Sequence, residues 1–276
     1  MTNSSDYFKE IEDHKSAEVV SPEVAVIEAE GSTLSVRLRG CFVIDCRLTD
    51  PNTGQLVSIL HSDPDLEVPK LTASHVMMPV SKSEGVGGQH GYPRWADYHE
   101  FQSLDGPGGE KRVSFQAKRS DFGLGVTKVF EMTDSRITTH TVVTNYENTS
   151  AHTSIGEHLY FTLEGEAISG LRVNGKSLDE LLGDGAESEV MDQKSKIFED
   201  YDGEAVIDFP DGRRLMLSTE TDQPDRLRMI IWHRKGSESI CFEPTVGFDR
   251  ETGNEGLLIE PEQASVLTTT IQLLDS

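Results

Sequence analysis

Ile155-Gly156-Glu157-His158-Leu159-Tyr160-Phe161-Thr162-Leu163, near the middle of the chain, has the alternation of a half-buried β-strand. Ile155, Leu159, Phe161 and Leu163 share one parity and mark the core face. His158 has the other parity, so a cleft on that face would find a rigidly held imidazole. Glu157 points away from it. A single strand histidine is as readily satisfied by a backbone carbonyl, so a chemical role for His158 requires a partner elsewhere in the chain.

The segments on either side repeat the pattern. Upstream, Leu34, Val36 and Leu38 alternate with polar residues, and the run Cys41 to Leu48 enters the turn Asp50-Pro51-Asn52-Thr53-Gly54, which predicts a hairpin. Further strands are expected over Val113 to Lys118, Gly125 to Met132 and Arg136 to Asn145. Downstream, Val206 to Phe209 and Arg213 to Ser218 flank the turn Pro210-Asp211-Gly212, and Leu227 to Trp232, Ser239 to Glu243 and Val266 to Leu273 follow. The one convincing helix start is Ser177-Leu178-Asp179-Glu180, a capping box before Leu181 and Leu182. From His61 to Gly91 the chain is rich in Pro, Gly, Ser and His without periodicity, and a long excursion over the surface is expected there; loops of that length are usually functional. Strand after strand with very little helix predicts an all-β, antiparallel architecture of stacked or strongly curved sheets. Residues 23 to 276 are expected to form one domain behind a polar leader, residues 1 to 22.

Composition narrows the partners. Of the 276 residues, 48 are Asp or Glu against 25 Lys or Arg, a net charge of −23. Such a surface repels polyphosphate backbones and anionic lipid, so neither nucleic acid nor membrane is an expected partner. Cys41, Cys46 and Cys241 are odd in number, and the first two point to opposite faces of one strand, which suits a reducing compartment. The first eighteen residues contain no apolar core of a secretory signal and no window approaches a membrane span, so a soluble cytoplasmic protein is expected. Oligomeric state is not legible.

Three places hold ionisable groups in constrained backbone. In Gln89-His90-Gly91-Tyr92-Pro93-Arg94-Trp95, Gly91 permits a sharp turn and Pro93 stiffens it, so His90 and Arg94 are presented on a fixed loop. The histidine strand is the second. The third is Ile240-Cys241-Phe242-Glu243-Pro244-Thr245, where a carboxylate ends an apolar strand, half shielded by Phe242, as a general base could be. Six of the nine histidines, His75, His90, His99, His140, His152 and His158, raise the question of a metal, but no close His-x-His or Cys-x-x-Cys pair is present, and no metal or other cofactor is expected. Neither a nucleophile elbow nor a phosphate-cradling glycine loop occurs. Trp95 and Trp232 could stack on a sugar, with core packing the better expectation for Trp232.

In order and spacing these segments resemble the aldose 1-epimerase (galactose mutarotase-like) family. His90-Gly91-Tyr92-Pro93-Arg94 is similar to its His-Gly-aromatic-x-Arg loop, Gly156-Glu157-His158-Leu159-Tyr160-Phe161 to its histidine strand, and Phe242-Glu243-Pro244 to its apolar-Glu-Pro strand end. Asn145-Tyr146-Glu147-Asn148 and Leu258-Ile259-Glu260-Pro261 fit as well. The resemblance implies a β-supersandwich, a small-molecule sugar substrate and a metal-free acid/base mechanism. Glu243 would take the proton from the anomeric hydroxyl and His158 would protonate the ring oxygen, while His90, Arg94 and Asp200 would bind the sugar. At ordinary pKa values the glutamate is ionised and the histidine can carry the proton, so large shifts are not needed. Thr72 to Pro79 lacks the arginine that a hexose 6-phosphate branch would place there, which turns the reading toward a free aldose. A hexose 6-phosphate epimerase, a sugar-binding protein without turnover, and a metal-dependent β-sandwich enzyme are the alternatives.

Overall fold

Alternating burial along each strand decides how the sheets stack. The computed structural model describes residues 23–62, 73–80, 82–83, 88–117, 123–163, 168–183, 186–188, 193–249 and 256–275; the leader expected over residues 1 to 22 lies outside them. In Ser32–Arg37, Leu34 and Val36 are fully buried while Thr33, Ser35 and Arg37 are less so, the signature of a strand with one covered face.

One antiparallel sheet runs in the order Val24–Ala29, Ser32–Arg37, Phe42–Thr49, Leu56–Leu60, Ile155–Thr162, Ser239–Val246, Leu227–Arg234, Gln193–Phe198, Ala186–Ser188. The second runs Lys176–Ser177, Arg172–Val173, Glu204–Asp208, Arg214–Thr221, Ala264–Leu273, Arg136–Asn145, Leu124–Met132, Lys111–Ala117, Tyr98–Asp105. Their inner faces supply one shared core that includes Leu34, Phe161 and Phe242 from the first sheet and Phe130, Val143, Leu217 and Ile271 from the second. Phe161 and Phe242 meet edge-on at 5.5 Å, a favoured aromatic geometry. The expected all-β, antiparallel fold class is what the structure shows.

The turns form where the side chains dictate them. The carboxylate of Asp50 accepts from the Asn52 backbone N–H at 2.8 Å and the Thr53 hydroxyl at 2.8 Å, and these bonds hold its carboxyl below the usual range. The helix Leu178–Leu182 starts on Ser177, whose hydroxyl accepts from Glu180 N–H while the Glu180 carboxylate accepts from Ser177 N–H.

Two expectations change. The histidine strand, Ile155–Thr162, is buried on both faces rather than one. The segment expected to cross the surface joins the sheet instead: His75–Met77 is a short strand, wholly buried, that pairs along the edge of the histidine strand. The signal was masked by a run of Ser, His and Met that has no period. All three cysteines are free and buried. No helix among the described residues is long and apolar enough to cross a membrane.

Candidate active site

Strand register builds the site. The ladder that sets Leu159 opposite Phe242 places His158 opposite Glu243, and on its other side His158 pairs directly with His75. Glu243 in turn pairs with Ile230. His75, His158 and Glu243 therefore form one row across three adjacent strands, with their side chains on the face away from the shared core. The next row holds Tyr160, Cys241 and Trp232. Close approach of the strands depends on Gly156, where a Cβ would lie 2.6 Å from Met77 Cε and 2.9 Å from Thr245 Cγ2.

The loop bearing His90 and Arg94 closes over that row. His90 has φ 64° and Gly91 φ 70°, and a Cβ on Gly91 would fall 1.7 Å from the Met78 carbonyl oxygen, so only glycine fits. Pro93 then opens a single turn, Tyr92–Arg94, that carries the Arg94 side chain inward to 1% exposure. The Arg94 guanidinium also lies over the Trp95 ring at 4.9 Å.

Three of the six histidines meet here. Ring centroids are 5.0 Å apart for His75 and His158, 5.4 Å for His90 and His158, and 5.5 Å for His75 and His90. Nδ1 of His75 lies 2.9 Å from the Ala73 carbonyl and Nδ1 of His90 3.0 Å from the Val80 carbonyl. A carbonyl only accepts, so both rings carry a proton on Nδ1, and in His75, which burial keeps neutral, Nε2 is left as an acceptor. Nε2 of His158 stands 3.3 Å from Oε1 of Glu243.

Burial governs the charge of this pair. It lowers His158 to about 3, with help from the Arg94 guanidinium, and raises Glu243 to about 8. His75 is driven well below its ordinary value by burial first, then by His158 and Arg94. The expectation of an ionised glutamate and a protonated histidine without large shifts is thus corrected: at neutral pH the unliganded pair holds its single proton on Glu243, facing a neutral imidazole. Transfer of that proton across the contact converts one arrangement into the other.

No protein-family model and no curated protein sequence matches the chain. Its structure is similar to that of the Slr1438 protein from Synechocystis sp. PCC 6803, with TM-score 0.71 and 15% identity over 93% of this chain and 97% of that one. It is similar also to a galactose mutarotase-like protein from Clostridium acetobutylicum, with TM-score 0.67 and 15% identity over 94% and 98%. A GalM/aldose epimerase homologue from C. elegans gives TM-score 0.62 and 12% identity over 91% and 99%. The chain has the galactose mutarotase-like fold. On that mutarotase-like frame, His90, Arg94, His158 and Glu243 are brought together, whereas Asp200 is exposed in the turn after Gln193–Phe198, two strands from Glu243 and beyond the pairing of Phe198 with Met229.

The other predicted histidines are elsewhere. His140 lies in the second sheet, near Glu131 and hydrogen bonded to Thr268, while His99 and His152 are exposed. Trp232, expected in the core, instead sits in the site face, 6.2 Å from His158 with its indole N–H donating to Gln193 Oε1; Ile231 takes the core position. The parity of Leu227, Met229 and Ile231 carried that signal. His75 was missed as a site residue because its strand has three residues and no pattern.

Proposed function

We propose that this protein is an aldose 1-epimerase of the mutarotase family, a soluble cytoplasmic single-domain enzyme that interconverts the α and β anomers of a free aldose. The observation that carries the reading is the His158–Glu243 contact of 3.3 Å, held by strand register. Opening a cyclic hemiacetal removes a proton from the anomeric hydroxyl, breaks the bond from the anomeric carbon to the ring oxygen, and adds a proton to that oxygen. Both oxygens are attached to the same carbon, so two proton-exchanging groups in contact with each other can address them together.

The pair carries one transferable proton. In the arrangement burial favours, Glu243 gives it to one oxygen while His158 takes the proton of the other; with the proton on the imidazole, Glu243 is the base and His158 the acid. After rotation about the adjacent carbon–carbon bond the same transfers run in reverse and close the other anomer. His90 and Arg94 orient the sugar. A free aldose is favoured over a 6-phosphate because Arg94 is buried at 1% exposure and Ala73 to Val80 supplies no second arginine. Three free, buried cysteines suit the cytoplasm.

Polarimetry over a panel of free and 6-phosphorylated aldoses tests this. Glu243→Gln and His158→Ala should each lower the catalysed rate by roughly 10² to 10⁴ while circular dichroism remains native. Full activity in either variant would overturn the assignment, and sugar affinity without faster anomerisation would mean a binding protein.

A further inference from the structure

Cys241 places a thiol on the site face that proton exchange does not employ. It lies two residues from Glu243 on the same strand and face, in the row beside His158, and is fully buried. Ligand atoms of His158, Cys241 and Glu243 all lie within 4.8 Å of one another. A tetrahedral zinc centre with bonds of about 2.0–2.3 Å needs its ligand atoms roughly 3.3–3.8 Å apart. Side-chain rotation of about an ångström closes that gap.

The geometry points to an inhibitory site for a thiophilic divalent cation, Zn²⁺ in kind, formed by His158, the Cys241 thiolate and the Glu243 carboxylate on top of the proton-exchange pair. Donor chemistry selects the ion. One nitrogen, one sulfur and one carboxylate suit Zn²⁺ or Co²⁺, whereas Mg²⁺ and Ca²⁺ require oxygen shells that these residues do not provide. Charge balance agrees. Burial pushes the Cys241 thiol well up, Glu243 up to about 8 and His158 down to about 3, so the surroundings resist net charge of either sign. A dication with a thiolate, a carboxylate and a neutral imidazole sums to zero. On binding, the metal displaces the thiol and carboxyl protons, which pass to solvent.

Occupancy takes the lone pair of His158 and the carboxylate of Glu243 together, so neither can exchange protons with a sugar. That consequence rests on the proposed epimerase reading; the binding site itself does not. The side chains of His158 and Glu243 keep 8% and 7% exposure, enough to be reached from solvent.

Full-length protein stripped with a chelator and titrated with Co²⁺ should give one thiolate-to-cobalt charge-transfer band in the near ultraviolet, at one equivalent. Zn²⁺ should displace it and slow mutarotation, and chelator should restore the rate. Cys241→Ser and Cys241→Ala should abolish the band and weaken Zn²⁺ at least tenfold while their rates in chelator match the parent; Cys41 and Cys46 remain in both variants as internal controls. Absence of the band in the parent, or unchanged Zn²⁺ affinity in both variants, would overturn the site. A normal band in a protein that never accelerates mutarotation would leave the site standing and remove the enzyme reading instead.

Discussion

Glu157 and His158 are consecutive in sequence and face opposite sides of one sheet: Glu157 is ion-paired in the core, and His158 meets Glu243 in the site. Nζ of Lys128, from the second sheet, is 2.7 Å from each carboxylate oxygen of Glu157, both side chains are 2% exposed, and the Thr141 hydroxyl donates to the same carboxylate. A charge cluster from the opposite sheet thus holds the residue next to His158.

Removing one member of this pair should be costly, since the other charge stays buried. Lys128→Met is expected to lose about 3–5 kcal/mol, and Lys128→Met with Glu157→Leu to recover most of it. Urea denaturation of the two singles and the double gives the coupling. Additive losses would mean that the pair contributes nothing as a pair.

The pH profile should show the shifted pair. Catalysis needs one proton on the pair, so in chelator-treated buffer kcat/KM should stay level from weakly acidic pH and fall above about 8, where Glu243 loses its proton. Ordinary pKa values would place the fall near the histidine value of 6.5. Stability follows the same group. Glu243 is raised from 4.5, so its contribution is fully present below 4.5 and is lost as pH rises to about 8; Glu243→Gln should flatten that limb of a thermal-melt series.

Gly91→Ala should damage function more than stability explains. Positive φ alone costs about 1–2 kcal/mol, and here the added methyl also strikes the Met78 carbonyl, displacing His90 and Arg94. We expect at least a tenfold loss in kcat/KM. Gly54→Ala, with similar φ but open space around it, is the control and should leave the rate unchanged.

Trp232 should contribute to binding rather than to the chemical step. Trp232→Leu is expected to raise KM about tenfold, a loss near 1.4 kcal/mol, with kcat within a few-fold, and Trp232→Phe to recover part of it. Initial-rate polarimetry separates the two constants. A collapse of kcat with unchanged KM would refute a role in stacking.

Much of the fold was legible because strand parity and turn chemistry are local. The Asp50 and Pro210 turns, the Ser177 cap and the histidine strand all follow from neighbours in sequence. The constrained His90 loop and the Glu243 strand end could also be read, since Gly91, Pro93 and Pro244 mark them. What escaped is non-local. His75 joins the site only through pairing between strands, Lys128 finds Glu157 only when two sheets stack, and the altered proton affinities of His158 and Glu243 arise from burial that no single segment displays.

Gly156 carries a practical warning for anyone who maps this protein by random mutagenesis. Its missing side chain leaves the space that Met77 and Thr245 fill, and through them fixes the spacing of the strands that bear His75 and Glu243. Gly156→Ala would wedge that row open from within, so an activity screen would score as catalytic a residue that has no functional group at all.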